Sequence, residues 1–203
     1  MIRSFLAFEL PPEIKNIINR VSKDLRQSDL NVRWVNVENI HLTIVFMGNI
    51  HEKEIPFMSQ TIEKVCLRYA PFHVFLKGLG AFPNTRRPRV IWAGLDGDTS
   101  KMPFFQKALQ KHLRPVGIKE EKRPFKPHLT LGRFKNPGPA DSLLDNLIGT
   151  YKDLSSSEYS FRELIFFKSD IKPGGAVYTK LGSWPLLGGG TYPFIPPPHA
   201  GGD

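Results

Sequence analysis

The sequence predicts an α+β protein with a duplicated fold of two similar lobes. Each lobe is expected to be an antiparallel or mixed sheet with outer helices, and a pseudo-twofold axis relates the lobes around a central cleft. The words "HLTI" and "HLTL" begin at His41 and His128, 87 residues apart. Phe5 and Trp92, in the strands before them, each lie 36 residues earlier. The repeated unit is therefore a whole strand-helix-strand segment.

The first half of the chain contains three predicted strands and two predicted helices. β-like residues at 2–10 end at two prolines, and proline is favoured in the first turn of a helix. Apolar residues at helical spacing then predict an amphipathic helix over residues 12–27. The strand with the first motif follows, then a helix over residues 52–69 and a strand over residues 72–80.

The second half repeats this order after the turn-rich segment "FPNTRRP". A strand is predicted over residues 89–95 and a helix over residues 99–115, followed by the strand with the second motif. A helix over residues 139–150 and strands over residues 158–169 and 175–184 complete this half.

Length and composition are those of one globular domain. The 203 residues are enough to bury a core, and 40% apolar with 23% charged residues argues against disordered and membrane-spanning classes. Residues 1–185 form the predicted two-lobe domain, and the Gly- and Pro-rich residues 186–203 a mobile tail. The single cysteine, Cys66, lies on the apolar side of a predicted helix. A packing role in a reducing, cytoplasmic compartment is therefore expected.

The chain is basic, with a net charge of +9 and a pI near 9.7. A field of Lys and Arg attracts phosphates, so the charge indicates a polyanionic partner such as nucleic acid. Charge alone favours this interpretation and simple solubility equally.

Each motif offers one polar face and one apolar face. On a strand, residues i and i+2 point to the same side, so His41 shares a face with Thr43, and His128 shares one with Thr130. If these faces meet across the cleft, one imidazole can act as general acid and the other as general base, since histidine titrates near neutral pH. Chance gives roughly 0.2 His-x-Thr triplets in such a chain. Two copies at matching places therefore favour catalysis over two structural histidines.

Neither a metal nor a nucleotide cofactor is expected. The chain has no His-x-x-x-His pattern and no clustered Cys, and no Asp or Glu lies within two residues of His41 or His128. No Gly-rich phosphate loop supports an ATP requirement.

Five segments carry a resemblance to a known family: "RSFLAFELP", "NIHLTIVFMGNI", "GLGAFPNTRRPRVIWAGL", "RPFKPHLTLGR" and "YTKLGSW". Together they resemble the 2H phosphoesterase superfamily, which is defined by two His-x-Thr/Ser-x motifs on a duplicated fold. Within it the chain is most similar to the RNA 2′,3′-cyclic phosphodiesterases, also known as 2′-5′ RNA ligases. The resemblance covers about residues 1–185.

The resemblance implies metal-independent hydrolysis of a terminal 2′,3′-cyclic phosphate on RNA, tRNA fragments included, to a 2′-phosphate. His41 would protonate the departing 3′ oxygen and His128 would activate water, although the residues themselves do not fix which histidine is acid and which is base. Thr43, Thr130 and Arg133 would hold the phosphate. Because Arg133 is odd-spaced from His128, it needs a bulge or a strand end to turn inward.

Two other functions stay open. ATP-independent 2′-5′ ligation would use the same acid and base, with a 5′-hydroxyl of RNA in place of water. A non-catalytic module that binds RNA ends would not depend on the histidines. No interface pattern stands out, so a monomer that binds RNA and no membrane is expected.

Two groups of side chains are further candidates for RNA contacts. Arg86, Arg87 and Arg89 in the "NTRRPR" loop either follow the RNA backbone or form an ordinary basic loop. Phe46 or Phe125 could stack on a base, or belong to the core.

Overall fold

Two antiparallel sheets form the centre of the protein in the computed structural model, where the structure describes residues 1–136, 142–173 and 175–188. The strands are β1 (Ile2–Glu9), β2 (Val32–Trp34), β3 (His41–Ile50), β4 (Phe72–Phe82), β5 (Val90–Gly97), β6 (His128–Phe134), β7 (Tyr159–Phe161), β8 (Glu163–Lys172) and β9 (Gly175–Pro185). The α-helices are α1 (Pro12–Arg26), α2 (Ile55–Cys66), α3 (Met102–Leu113) and α4 (Ser142–Thr150).

The helices lie where the apolar periodicity predicted them. α1 starts at Pro12, which needs no N–H partner in the first turn, and buries Ile14, Ile18 and Leu25. α2 and α3 are shorter than predicted at both ends. A 3₁₀ turn takes up the first residues of each predicted segment, and the helices end at Cys66 and Leu113, before the predicted ends at residues 69 and 115. The predicted start of α4 at residue 139 lies outside the described residues.

The sheets do not follow the two halves of the sequence. The first sheet has the strand order β3-β1-β8-β9 and the second has the order β2-β6-β5-β4-β7, so each sheet takes strands from both halves. β2 was not predicted, because three residues are too few to show a periodic pattern. The single strand predicted over residues 158–169 is two strands in different sheets, β7 and β8, separated at Arg162.

One hydrophobic core joins the two sheets. Leu6 and Phe8 of the first sheet belong to the same buried cluster as Ile91 and Leu129 of the second. Phe8 also stacks against Phe105 of α3, with ring centroids 6.1 Å apart. The apolar faces predicted for the two motif strands are therefore both directed into this shared core.

The chain remains packed beyond β9. Leu186 is buried, and the Gly188 N–H donates a hydrogen bond to the Tyr69 carbonyl at 2.9 Å. The rest of the predicted tail, residues 189–203, lies outside the described residues.

Candidate active site

A cleft with a volume of about 2800 Å³ is lined by residues of both sheets. His41 and Thr43 of β3 line it, together with His128, Thr130 and Arg133 of β6. Because β3 belongs to the first sheet and β6 to the second, the two motifs reach the cleft from different sheets. The structure thus brings all five predicted site residues to one cavity.

The two motifs share the same local backbone geometry. Along each strand a half-buried His is followed by a buried Leu, a half-buried Thr, two buried residues and one exposed residue. The two successive buried residues mark a bulge, since the pairing of β1 with β3 skips Ile44 and the pairing of β5 with β6 skips Leu131. The bulge directs the fifth residue after the histidine toward the cleft, and in the second motif this residue is Arg133. The bulge thus explains how Arg133 lines the cleft despite its odd spacing from His128.

The repeat differs from the sequence interpretation in one respect. Trp92 lies opposite Thr130, whereas Phe5 lies opposite Phe46 and not opposite the first threonine. The residue opposite Thr43 is Ala7. The equal offsets of Phe5 and Trp92 from the histidines therefore do not mark equivalent positions. In the second strand-helix-strand unit, more residues separate the threonine of the motif from the residue that pairs with it.

Both imidazoles are oriented by the backbone of the residue two positions earlier. Nδ1 of His41 donates to the Asn39 carbonyl at 2.8 Å, and Nδ1 of His128 donates to the Lys126 carbonyl at 2.7 Å. A carbonyl oxygen only accepts, so the proton of each neutral ring is held on Nδ1. In each ring Nε2 is then the nitrogen that can exchange a proton with a ligand.

Aromatic packing removes water from both imidazoles. His41 stacks on Phe5 with ring centroids 4.7 Å apart and meets the edge of Tyr178 at 5.4 Å. This burial lowers the pKa of His41 to about 4, against the opposing effects of the Asn39 hydrogen bond and the Glu9 charge. His128 meets Phe82 edge-on at 4.8 Å.

The pKa of His128 is also lowered. Burial is the main cause, and the positive charge of Arg133 acts in the same direction. Both imidazoles are therefore neutral at neutral pH when the cleft holds no ligand.

The cleft is strongly basic. Thirteen Lys and Arg residues line it against three glutamates. Arg87 and Arg89 of the loop singled out in the sequence are among the thirteen, whereas Arg86 is not. Phe46 and Phe125 both line the cleft as well, and Phe46 is 68% exposed while Phe125 is half-buried.

Sequence reasoning missed two residues at this site. Tyr178 of β9 packs against His41, and the Asn39 side chain donates to the Ala176 carbonyl of β9 at 2.8 Å. The hydrogen bond joins residues 137 positions apart, and no spacing pattern along the chain signals it. Asn39 thus makes two contacts at the site. Its backbone carbonyl orients His41, and its side chain holds β9 next to the motif.

Neither a metal-binding cluster nor a membrane-spanning helix occurs in the part of the chain that the structure describes. Among residues 1–136, 142–173 and 175–188, no group of three or more His, Cys, Asp and Glu side chains could hold a metal ion. Within the same ranges, no helix has both the length and the apolar character needed to cross a membrane.

Comparisons with known proteins agree with the resemblance noted in the sequence. A sequence model of the LigT-like phosphoesterases matches residues 8–92 and 104–178. The RNA 2′,3′-cyclic phosphodiesterase of Methanothermobacter thermautotrophicus is 30% identical over 180 residues, covering 89% of this chain and 96% of the relative. The protein of the same name from Methanocaldococcus jannaschii is 31% identical over 183 residues, covering 90% of this chain and all of the relative.

Solved structures share the fold. The TT0787 protein of Thermus thermophilus is 28% identical and superposes with a TM-score of 0.75, covering 92% of this chain and 99% of that protein. LigT of E. coli in complex with 3′-AMP is 25% identical with a TM-score of 0.69, covering 91% and 98%. This chain is accordingly an enzyme that belongs to the LigT-like phosphoesterase family.

Proposed function

We propose that this enzyme hydrolyses a 2′,3′-cyclic phosphate at the end of RNA to a 2′-phosphate, without a metal ion, with His41 as general acid and His128 as general base. The observation that carries the proposal is the pair of His-x-Thr motifs, which have the same bulged geometry on two sheets and line one basic cleft. The names of the curated relatives support the reaction and the RNA substrate.

The reaction requires its acid and base on opposite sides of phosphorus. As water attacks, Nε2 of His128 takes a proton from it and the new P–O bond forms. The P–O3′ bond breaks, and O3′ takes a proton from Nε2 of His41, which leaves the phosphate on O2′. Two motifs that reach the cleft from different sheets support this division of roles.

Phosphate binding is assigned to the remaining motif residues. The hydroxyls of Thr43 and Thr130 donate hydrogen bonds to non-bridging phosphate oxygens, and the guanidinium of Arg133 stabilises the negative charge that develops on them. The excess of Lys and Arg around the cleft supports a polyanionic substrate, with tRNA fragments included in this class. Because one chain supplies both motifs, the proposed active form is a monomer.

Substrate binding must also favour the protonated form of the acid. His41 is neutral in the free protein at neutral pH, since burial lowers its pKa to about 4. The negative charge of a bound phosphate favours the imidazolium, so it raises this pKa when the substrate arrives. His41 can therefore act as general acid when the cleft holds the substrate.

A cleavage assay tests the proposal. A short RNA that ends in a 2′,3′-cyclic phosphate is incubated in EDTA with the wild type, His41→Ala, His128→Ala and the control His51→Ala, whose imidazole is exposed and outside the cleft. The expected product is a 2′-phosphate, with a loss of about 100-fold or more in each motif variant and none in the control. Activity that is lost in EDTA, or retained in both motif variants, would contradict the mechanism.

The same assay distinguishes ligation from hydrolysis. A second RNA with a 5′-hydroxyl is added at high concentration, and joined product is sought on a denaturing gel. Joined RNA in place of the 2′-phosphate would show that the enzyme prefers the 5′-hydroxyl to water as the nucleophile.

A further inference from the structure

A buried glutamine of α3, Gln106, is hydrogen-bonded to the strand that carries the first motif. Most of the buried face of this helix is apolar, with Phe105 and Leu109 among its residues, and Gln106 lies on this face with only 8% of its surface exposed. A buried amide costs free energy unless it has hydrogen-bond partners, so a glutamine at such a position indicates a specific contact. Nε2 of Gln106 donates to the Ile44 carbonyl at 2.9 Å.

Ile44 is the bulge residue of the first motif. Its neighbours Thr43 and Val45 both have partners on β1, and Ile44 is skipped between them. A bulge interrupts the ladder of backbone hydrogen bonds, so the groups of the extra residue need partners from elsewhere in the fold. Gln106 supplies such a partner to the backbone directly after Thr43.

The bulge of the second motif receives an equivalent hydrogen bond from the backbone. Leu131 is skipped in the pairing of β5 with β6, and its carbonyl accepts a hydrogen bond from the N–H of Val35, just after β2, at 2.8 Å. Each bulge carbonyl is thus bound by a donor from the other half of the chain. Only the donor to the first motif is a side chain, so a substitution can remove it.

The packing of His41 depends on the first bulge. Phe5 pairs with β3 at Phe46, which follows the bulge, whereas its ring stacks on His41, which precedes the bulge, with centroids 4.7 Å apart. This contact spans the bulge, so a change in the backbone at Ile44 moves the imidazole relative to the ring that shields it from water.

On the basis of the proposed function, we infer that Gln106 is a positioning residue for the reaction: it holds the bulge at Ile44 and thereby places His41 and Thr43 against the substrate. Gln106 also lines the cleft, but its amide donates to the backbone of the motif. It therefore acts through the motif and not by binding RNA. A misplacement of about 1 Å at a catalytic group can cost on the order of 100-fold in rate.

A double-mutant cycle with His41 tests this role. The probe is a short RNA that ends in a 2′,3′-cyclic phosphate. Gln106→Met, which has a similar size and no donor, is compared with the wild type, and the same substitution is made in the His41→Ala background. Gln60→Met is the control, because Gln60 is exposed on α2 and does not line the cleft. Cleavage is followed in single turnovers over a range of enzyme concentrations, which separates the rate constant at saturation from the affinity for the RNA.

Gln106→Met is expected to lower the rate constant at saturation by about 10- to 100-fold and to change the affinity by less than about twofold. In the His41→Ala background the same substitution should lower the rate constant by less than about threefold, because the position of an absent imidazole no longer matters. Gln60→Met should behave as the wild type. A general folding defect would instead lower the activity by the same factor in both backgrounds.

Three results would overturn the role of Gln106: no loss in Gln106→Met, equal losses in the two backgrounds, or a loss confined to RNA affinity. In each case the proposed hydrolysis would stand, since the wild type still cleaves the probe. If Gln106→Met does not fold, Gln106→Asn takes its place; its amide is one methylene shorter, so the same pattern is expected with a smaller loss. A wild type that leaves the probe intact would refute the proposed function, and this role with it.

Discussion

Protonation of His41 should make the folded protein less stable as the pH falls from 6.5 to 4. In the folded protein the ring stacks on Phe5, and burial lowers its pKa to about 4, while in the unfolded chain it titrates near 6.5. The unfolded state therefore binds the proton more readily throughout this window. The free energy of unfolding is highest above pH 6.5, falls through the window, and loses nothing more to this group below pH 4.

The size of the loss follows from the two pKa values. At pH 4.5 the unfolded histidine is almost fully protonated, whereas about a quarter of the folded molecules carry the proton on this ring. Between pH 7.5 and pH 4.5 the difference amounts to about 2 to 3 kcal/mol of unfolding free energy. For a domain of this size such a loss is a substantial part of the total stability.

Urea unfolding at pH 7.5 and at pH 4.5 measures this effect in the wild type and in His41→Gln. Glutamine does not titrate, so the variant should lose about 2 to 3 kcal/mol less than the wild type between the two pH values. Contributions from His128 and from carboxylates are present in both proteins and cancel in the comparison. Equal losses in the two proteins would refute the conclusion that His41 is desolvated in the folded state.

Three further outcomes are expected. kcat/KM should peak between about pH 4 and 6.5 in a pH-rate profile, because the active form carries one proton on two imidazoles with lowered pKa values; a maximum above pH 7.5 would contradict this. Arg133→Met should lower kcat/KM about 100-fold and move the alkaline limb of that profile to higher pH, since the variant loses a charge that lowers the pKa of His128; an unmoved limb would count against this effect of the Arg133 charge. Cys66 is buried, which raises its pKa to about 12, so iodoacetamide at pH 8 should label it only after unfolding, as followed by mass spectrometry; rapid labelling of the native protein would show that the thiol is accessible.

Much of the fold could be predicted from local pattern. The helical spacing of Ile14, Ile18 and Leu25 indicated α1, and the alternation in the motif strands indicated which residues are buried. The assignment of strands to sheets could not be predicted in this way. Periodicity describes the faces of one strand and contains no information about its neighbours, so the exchange of strands between the two halves was missed.

The candidate site shows the same division between local and long-range information. The His-x-Thr spacing was sufficient to place His41, Thr43, His128 and Thr130 on cleft-facing positions. The inward turn of Arg133 depends on a bulge. The sequence indicated that a bulge or a strand end was needed there, but it did not show that one forms. Packing of aromatic rings against the imidazoles, and with it the lowered pKa values, depends on contacts between distant strands.

The exchange of strands has a consequence for how the two motifs are held. β3 pairs with β1, and that sheet is completed by β8 and β9 from the second half, while β6 lies between β5 from the second half and β2 from the first. The buried Leu42 and Leu129, one in each motif, belong to one hydrophobic cluster. The motifs therefore cannot separate without exposing core side chains, a cost comparable to unfolding. Two imidazoles held in this way meet the requirement of paired acid and base catalysis for groups that are fixed before the substrate binds.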